Sequence, residues 1–213
     1  MRATADQVRA ALSAPQPWPV VLEASAGFRS LDDDLDGVAQ RICDRLGGPP
    51  LRVGQSTYLL GLAARLWAAV LVPVARFGVL PDPTAFVVRD DQGALQLGVR
   101  ELRGDHTSDL RPVLDVLAPV VTALPLADRL LWGNVASALY AAPRVLNVDV
   151  DVTGLLQAPP LTGELVDGRR TTCCLFYAVP GAGLCGDCCF DVAPSTRSAS
   201  SPRTNPSVPH STS

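Results

Sequence analysis

The sequence predicts an α+β fold that is predominantly helical: a helical body with a small β-hairpin, followed by a C-terminal cysteine-rich loop. Long segments repeat apolar residues at helical spacing. Two short apolar runs flank a turn at residues 91–93, and five of the six cysteines fall between Cys173 and Cys189. At 213 residues, 47% of them hydrophobic, the chain can bury a sizeable core.

The charge pattern limits the function classes. The net charge is -3 and 18% of the residues are charged, so there is no general basic field and we expect no nucleic-acid partner. The N-terminus lacks the apolar core of a signal peptide, which predicts a cytoplasmic protein. Arg65, Pro73 and Arg76 interrupt the apolar run 59–80, so we expect a buried core helix and no transmembrane segment.

The first half of the chain predicts three helices. A short amphipathic one covers about Ala5 to Leu12, where the proline-rich PQPWP follows. Ser30 is the expected N-cap of the second, which Gly47 ends. The third, nearly all apolar, covers Gln55 to about Ala75 and ends or kinks near Pro73.

The second half begins with the hairpin, AFVVRD and ALQLGVR, at residues 85–100. Helical spacing returns at Asp109–Leu124 and Leu126–Ala142, which we expect to pack as an antiparallel pair, with Pro125 opening and Pro143 closing the second helix. A weaker helix covers Val150–Gln157, and the cysteine segment is predicted to be loop.

The cysteines carry the chemical signal. Cys173, Cys174, Cys185 and Cys188 read Cys-Cys-x10-Cys-x2-Cys. Thiolates at this density select zinc, copper(I) or iron–sulfur clusters. Zinc sites usually pair two knuckles of similar spacing, whereas nothing separates the first two cysteines here. The spacing therefore favours an iron–sulfur cluster and leaves a structural zinc site and a dithiol switch as alternatives.

The segment RRTTCCLFYAVPGAGLCGDC resembles the C-terminal 2Fe-2S motif of the FhuF family of ferric-siderophore reductases. Upstream, QSTYLLGLAARLWAAVLVPVARFGVLPD and LLWGNVASALYAAPRV resemble the helical body of the same family. The resemblance implies a 2Fe-2S cluster as cofactor, with Cys173, Cys174, Cys185 and Cys188 as both cofactor-binding residues and metal ligands. It implies no further catalytic residue.

The resemblance also implies a function: one-electron reduction of siderophore iron(III) to iron(II), which releases the iron in the cytoplasm. The expected partners are a ferric siderophore, of hydroxamate type, and an external electron donor such as a ferredoxin or a flavoprotein reductase. Two alternatives belong to other classes. One is a siderophore- or protein-binding module in which four cysteines hold a structural zinc ion, and the other is an iron–sulfur redox sensor.

Together these predictions divide the chain into three parts. Residues 1–168 form a mainly helical FhuF-like body, expected to hold the siderophore-binding part, residues 169–190 form the 2Fe-2S-binding segment, and residues 191–213 form a disordered tail rich in serine and proline.

Several further polar residues carry weaker signals. Cys189 adds a fifth sulfur, either an exchangeable ligand or a redox-sensitive thiol, while Cys43 is interpreted as a small buried hydrophobe. Arg169 and Arg170 either offset cluster charge or form a solvated pair. Three residues are interpreted as packing residues of a helix: Trp132, Asn134 and Ser137. The two histidines, His106 and His210, have no partner pattern that indicates catalysis or metal binding.

Overall fold

The computed structural model describes residues 1–194. Within them, helices account for most of the regular structure, and the strands are few and short. The helices are α1 (Ala5–Leu12), α2 (Leu35–Arg45), α3 (Leu51–Phe77), α4 (Arg111–Ala123), α5 (Asp128–Leu146) and α6 (Thr153–Leu156). The predicted α+β fold with a predominantly helical body is therefore confirmed.

Helix α3 is the centre of the body and packs along both α5 and α2. It is longer than predicted, because it begins directly after Pro50 and continues past Pro73 to a left-handed Gly78. Its side chains are buried on most of its circumference, Tyr58 and Trp67 among them. By length and composition α3 could cross a membrane, but 67% of its most apolar stretch is buried inside the protein, as a core helix requires.

The predicted hairpin is confirmed as β3 (Phe86–Asp91) and β4 (Ala94–Val99), paired antiparallel. Gln92 and Gly93 both have positive φ, as a tight two-residue hairpin turn requires. A short strand missed in the sequence, β1 (Val21–Leu22), adds to β4 in parallel. Two further pairs are β2 (Leu80–Pro81) with β5 (Gly104–Asp105), and β6 (Leu165–Val166) with β7 (Arg169–Arg170).

The prediction that Ser30 caps α2 is wrong. The carbonyl of Leu31 accepts a hydrogen bond from the Tyr58 hydroxyl. This bond attaches the residues after Ser30 to α3, and α2 begins only at Leu35. The cap position is instead Asp34, with a left-handed backbone. Gly47 and Gly48, also left-handed, follow the end of α2 as expected.

Pro143, expected to close the second helix of the pair, lies inside α5 instead. The helix ends at Leu146, and the next residue, Asn147, adopts a left-handed conformation. The expected packing of α4 on α5 is only a minor contact, since α5 packs mainly on α3. The disordered tail predicted for residues 191–213 falls, from residue 195 onward, outside the described residues.

Candidate metal centre

Strand β7 leads directly into the cysteine-rich segment, which is a loop, as predicted, with a 3-10 turn at Phe176–Ala178. The chain then reverses through a turn closed by the Ala182 amide, which donates to the Val179 carbonyl at 3.1 Å. Gly181, at φ 72°, occupies the left-handed position of this turn. The reversal brings the second cysteine pair back beside the first.

The Cys185–Cys188 knuckle is closed by the Cys188 amide, which donates to the Cys185 carbonyl at 3.2 Å. It lies alongside β7, because the Arg170 amide donates to the Asp187 carbonyl at 2.9 Å. The knuckle is therefore held by the same strand that introduces Cys173 and Cys174.

The sulfur atoms form two groups. The Sγ atoms of Cys174 and Cys185 lie 3.5 Å apart, and the Cys189 side chain contacts those of Cys173 and Cys188. The backbone turns directly after Cys173 and Cys174, where Leu175 is left-handed. Cys173 and Cys174 belong to different sulfur groups, because the side chains of neighbouring residues point to opposite sides.

Backbone amides point at two of the sulfurs. The Leu175 amide donates to Cys173 Sγ at 3.2 Å, and the Phe190 amide donates to Cys188 Sγ at 3.4 Å. Each is a contact from residue i+2, so the local loop conformation produces it. Amides in this position stabilise thiolate charge and tune a cluster's potential.

Burial disfavours the charged form of the Cys173, Cys185 and Cys189 thiols. Cys174 is 3% exposed and Cys188 is 8% exposed, and all the cysteines are free of disulfides. Desolvation raises the pKa of Cys173 to about 11, and it raises the pKa values of Cys185 and Cys189 as well. A bound metal compensates such burial, because a coordinated thiol is deprotonated outright.

The two sulfur groups are compatible with the ligand arrangement of a 2Fe-2S cluster. Structural zinc requires four ligands around one centre, whereas a 2Fe-2S cluster divides four ligands between two irons. Cys174 and Cys185, with sulfurs 3.5 Å apart, form one such pair, at a separation that two ligands of tetrahedral zinc or of tetrahedral iron share.

A buried polar network fastens this segment to the body. The Ser56 hydroxyl, on α3, donates to the Cys174 carbonyl at 2.7 Å. Asn134, on α5 and fully buried, donates to the Ser56 carbonyl and hydroxyl oxygens at 3.0 Å each. Arg170 donates from Nη1 to Asn134 Oδ1 at 2.6 Å and pairs with Asp187 at 3.1 Å.

The two neighbouring arginines therefore differ. The Arg170 side chain is 1% exposed, so its interpretation as part of a solvated pair is wrong. Arg169 is half exposed and donates to the Cys188 carbonyl and to Asp191. Neither the depth of Arg170 nor its partners could be read from the sequence.

Other residues singled out in the sequence lie elsewhere or pack locally. Cys43 is buried on α2, where its thiol donates to the Pro50 carbonyl, which confirms its interpretation as a buried residue. The His106 amide donates to the Met1 carbonyl, and His210 lies outside the described residues. The sequence missed Ser56, for which a polar residue inside an apolar helix was the only available signal.

Comparison with known proteins agrees with the chemistry of these donors. The family model described as the FhuF 2Fe-2S C-terminal domain matches residues 170–190. No curated protein matches the chain. The match covers the cysteine segment and not the helical body, so the resemblance of the body remains a prediction. Residues 170–190 are thus similar to the FhuF 2Fe-2S C-terminal domain, which supports the predicted resemblance to the FhuF family and an iron–sulfur protein connected with siderophore iron.

Proposed function

We propose that this protein is a cytoplasmic ferric-siderophore reductase that transfers single electrons to the iron of a bound ferric siderophore. The observation that carries the proposal is the 2Fe-2S domain match across a segment in which the Cys174 and Cys185 sulfurs lie 3.5 Å apart. When bound, a 2Fe-2S cluster supplies one electron at a time.

The ligands we propose are Cys173, Cys174, Cys185 and Cys188. Cys174 and Cys185 would share one iron because their sulfurs already form a pair. Cys173 and Cys188 would share the other, and each accepts a backbone amide hydrogen bond. Cys189 contacts both members of this second pair, so it is a nearby replacement ligand and not a member of the primary set.

Reduction loosens the substrate because iron(III) binds hard anionic oxygens more strongly than iron(II), which has lower charge density. The electron arrives from an external donor, for which a ferredoxin or a flavoprotein reductase has the required one-electron chemistry. Cys173 and Cys185 are only partly buried, which leaves an edge of the sulfur groups close to solvent. Such an edge suits outer-sphere transfer to and from partners.

For the siderophore we propose a hydroxamate chelate bound on the helical body. A groove of about 490 Å³ lies between α5, α6 and the β6–β7 turn. Tyr140 and Gly168 line it, and Gly168 immediately precedes β7 and the cysteine segment. Tyr140 is 43% exposed, so an aromatic face is available to a chelate in this groove.

The proposal is tested by anaerobic turnover. The purified protein, given a chemical reductant and a ferric hydroxamate, should release iron(II) that a ferrous chelator traps. Cys185→Ser should abolish release, whereas Cys43→Ser should retain it, since Cys43 is buried on α2. A protein that holds the cluster and yet releases no iron(II) would be a sensor or a binding module, and the reductase proposal would be wrong.

A further inference from the structure

Arg170 is the buried cation of the cysteine-rich segment, and the proposed reaction gives it no role. Its side chain is 1% exposed. One side of the guanidinium pairs with Asp187, inside the Cys185–Cys188 knuckle, with Nε 3.1 Å from the carboxylate. The other side donates to Asn134 Oδ1 at 2.6 Å. A buried charge with these two partners is costly to place and has a fixed position.

The network continues to the first cysteine pair. Asn134 donates to Ser56, and the Ser56 hydroxyl donates to the Cys174 carbonyl at 2.7 Å. One chain of hydrogen bonds thus runs from the knuckle, through α5 and α3, to Cys174. Arg170 therefore touches the body and the knuckle at once, and its guanidinium acts on the site through Asp187.

We propose that Arg170 is a positioning and tuning residue that keeps the reduction potential of the cluster high, by neutralising Asp187 beside the proposed ligands. Reduction adds one negative charge, so an unpaired carboxylate next to Cys185 and Cys188 would disfavour the reduced state. The buried guanidinium cancels that carboxylate. The inference rests on the ligand set of the proposed function.

Arg169 provides the contrast. It is adjacent in sequence and also donates to the knuckle, at the Cys188 carbonyl. Its side chain is 51% exposed, however, and its acidic partner Asp191 is 86% exposed. Solvent screens a pair of this kind. Because its side chain is buried, Arg170 should affect the reduction potential of the cluster more than Arg169 does, although both residues carry the same formal charge.

The experiment is an anaerobic redox titration of the full-length protein carrying its cluster, followed by visible absorption, with no siderophore present. For Arg170→Gln we expect the equilibrium constant for reduction to fall by about tenfold, which is about 59 mV for one electron. Asp187→Asn should shift it in the opposite direction. The double variant Arg170→Gln with Asp187→Asn should return to within about threefold of the unchanged protein, since both charges are gone.

Arg169→Gln is the matched control, with an expected change of less than about threefold. A purely structural role would give no rescue in the double variant and no rise for Asp187→Asn, and either result overturns the inference. If the Arg170→Gln variant does not retain its cluster, two other variants test the inference. Arg170→Lys should keep the reduction potential of the unchanged protein, and Asp187→Asn should raise it.

These outcomes are separable from the fate of the proposed function. The titration needs no ferric siderophore, so the expected shifts in a protein that releases no iron(II) would contradict the reductase proposal and leave the role of Arg170 intact. A purified protein without visible absorption would overturn the ligand set and, with it, this inference.

Discussion

Replacing Asn134 with alanine tests whether buried hydrogen bonds hold the cysteine-rich segment on the helical body. The Asn134 side chain accepts from Arg170 and donates to two oxygens of Ser56, and it is fully buried. Loss of a buried hydrogen bond to a charged group costs about 1.5–3 kcal/mol, and loss of a neutral one costs about 1 kcal/mol. The variant should therefore lose about 3–5 kcal/mol of the free energy of unfolding.

Urea unfolding followed by far-UV circular dichroism measures this loss. With a slope of about 2 kcal/mol per molar urea, the midpoint should fall by about 2 M. Gln40→Ala is the control, since the exposed Gln40 side chain makes a single hydrogen bond to Asp44 on the surface of α2. The free energy of unfolding of this control should change by no more than about 0.5 kcal/mol. A loss below about 1 kcal/mol for Asn134→Ala would refute the network as an anchor.

The remaining predictions concern the cluster, the body and the groove. Cys174→Ser should abolish the visible absorption of the cluster, whereas Cys43→Ser should keep it, and loss of absorption in the second variant would show that the ligands are wrongly assigned. Asp90 forms ion pairs with Arg29 and Arg41, so Asp90→Asn should lower the free energy of unfolding at pH 7 by about 3 kcal/mol. Because hydrogen bonds from Arg41 hold the pKa of Asp90 below its ordinary value, this stabilisation is fully present above the unfolded pKa of about 3.9 and is lost as the pH falls from there through the lower folded pKa. The difference between the two proteins in urea unfolding should then narrow below about pH 4, and a constant difference would contradict the ion pair as its source. Tyr140→Ala should raise KM for a ferric hydroxamate by about three- to tenfold with an unchanged cluster spectrum, and an unchanged KM would remove the groove as the binding site.

The helices and the hairpin could be predicted because their signals are local. The apolar run of α3 and the two-residue turn of Gln92 and Gly93 need no distant partner to be recognised. The start of α2 could not be predicted in this way, because it depends on a distant residue. The Tyr58 hydroxyl, on α3, donates a hydrogen bond to the Leu31 carbonyl. Pro143 likewise stays inside α5, since packing on α3 outweighs its local helix-breaking tendency.

In the candidate site too, local signals could be predicted from the sequence and tertiary contacts could not. The spacing of the four cysteines indicated a cluster without any structure, because ligand spacing is written in the sequence. The partition of their sulfurs into two groups depends on the turn at Leu175 and the reversal at Gly181. The contrast between Arg169 and Arg170 depends on which side of β7 faces Asn134. Such facts follow from tertiary contacts, which a single sequence does not record.

The most direct measurement is an absorption spectrum of the anaerobically purified protein, recorded before and after reduction and then after addition of a ferric hydroxamate siderophore. We expect visible charge-transfer bands that dithionite bleaches, and that the ferric chelate restores as iron(II) is released. A colourless protein containing zinc, or a reduced cluster that the ferric chelate leaves bleached, would contradict the role of these cysteines as the electron source.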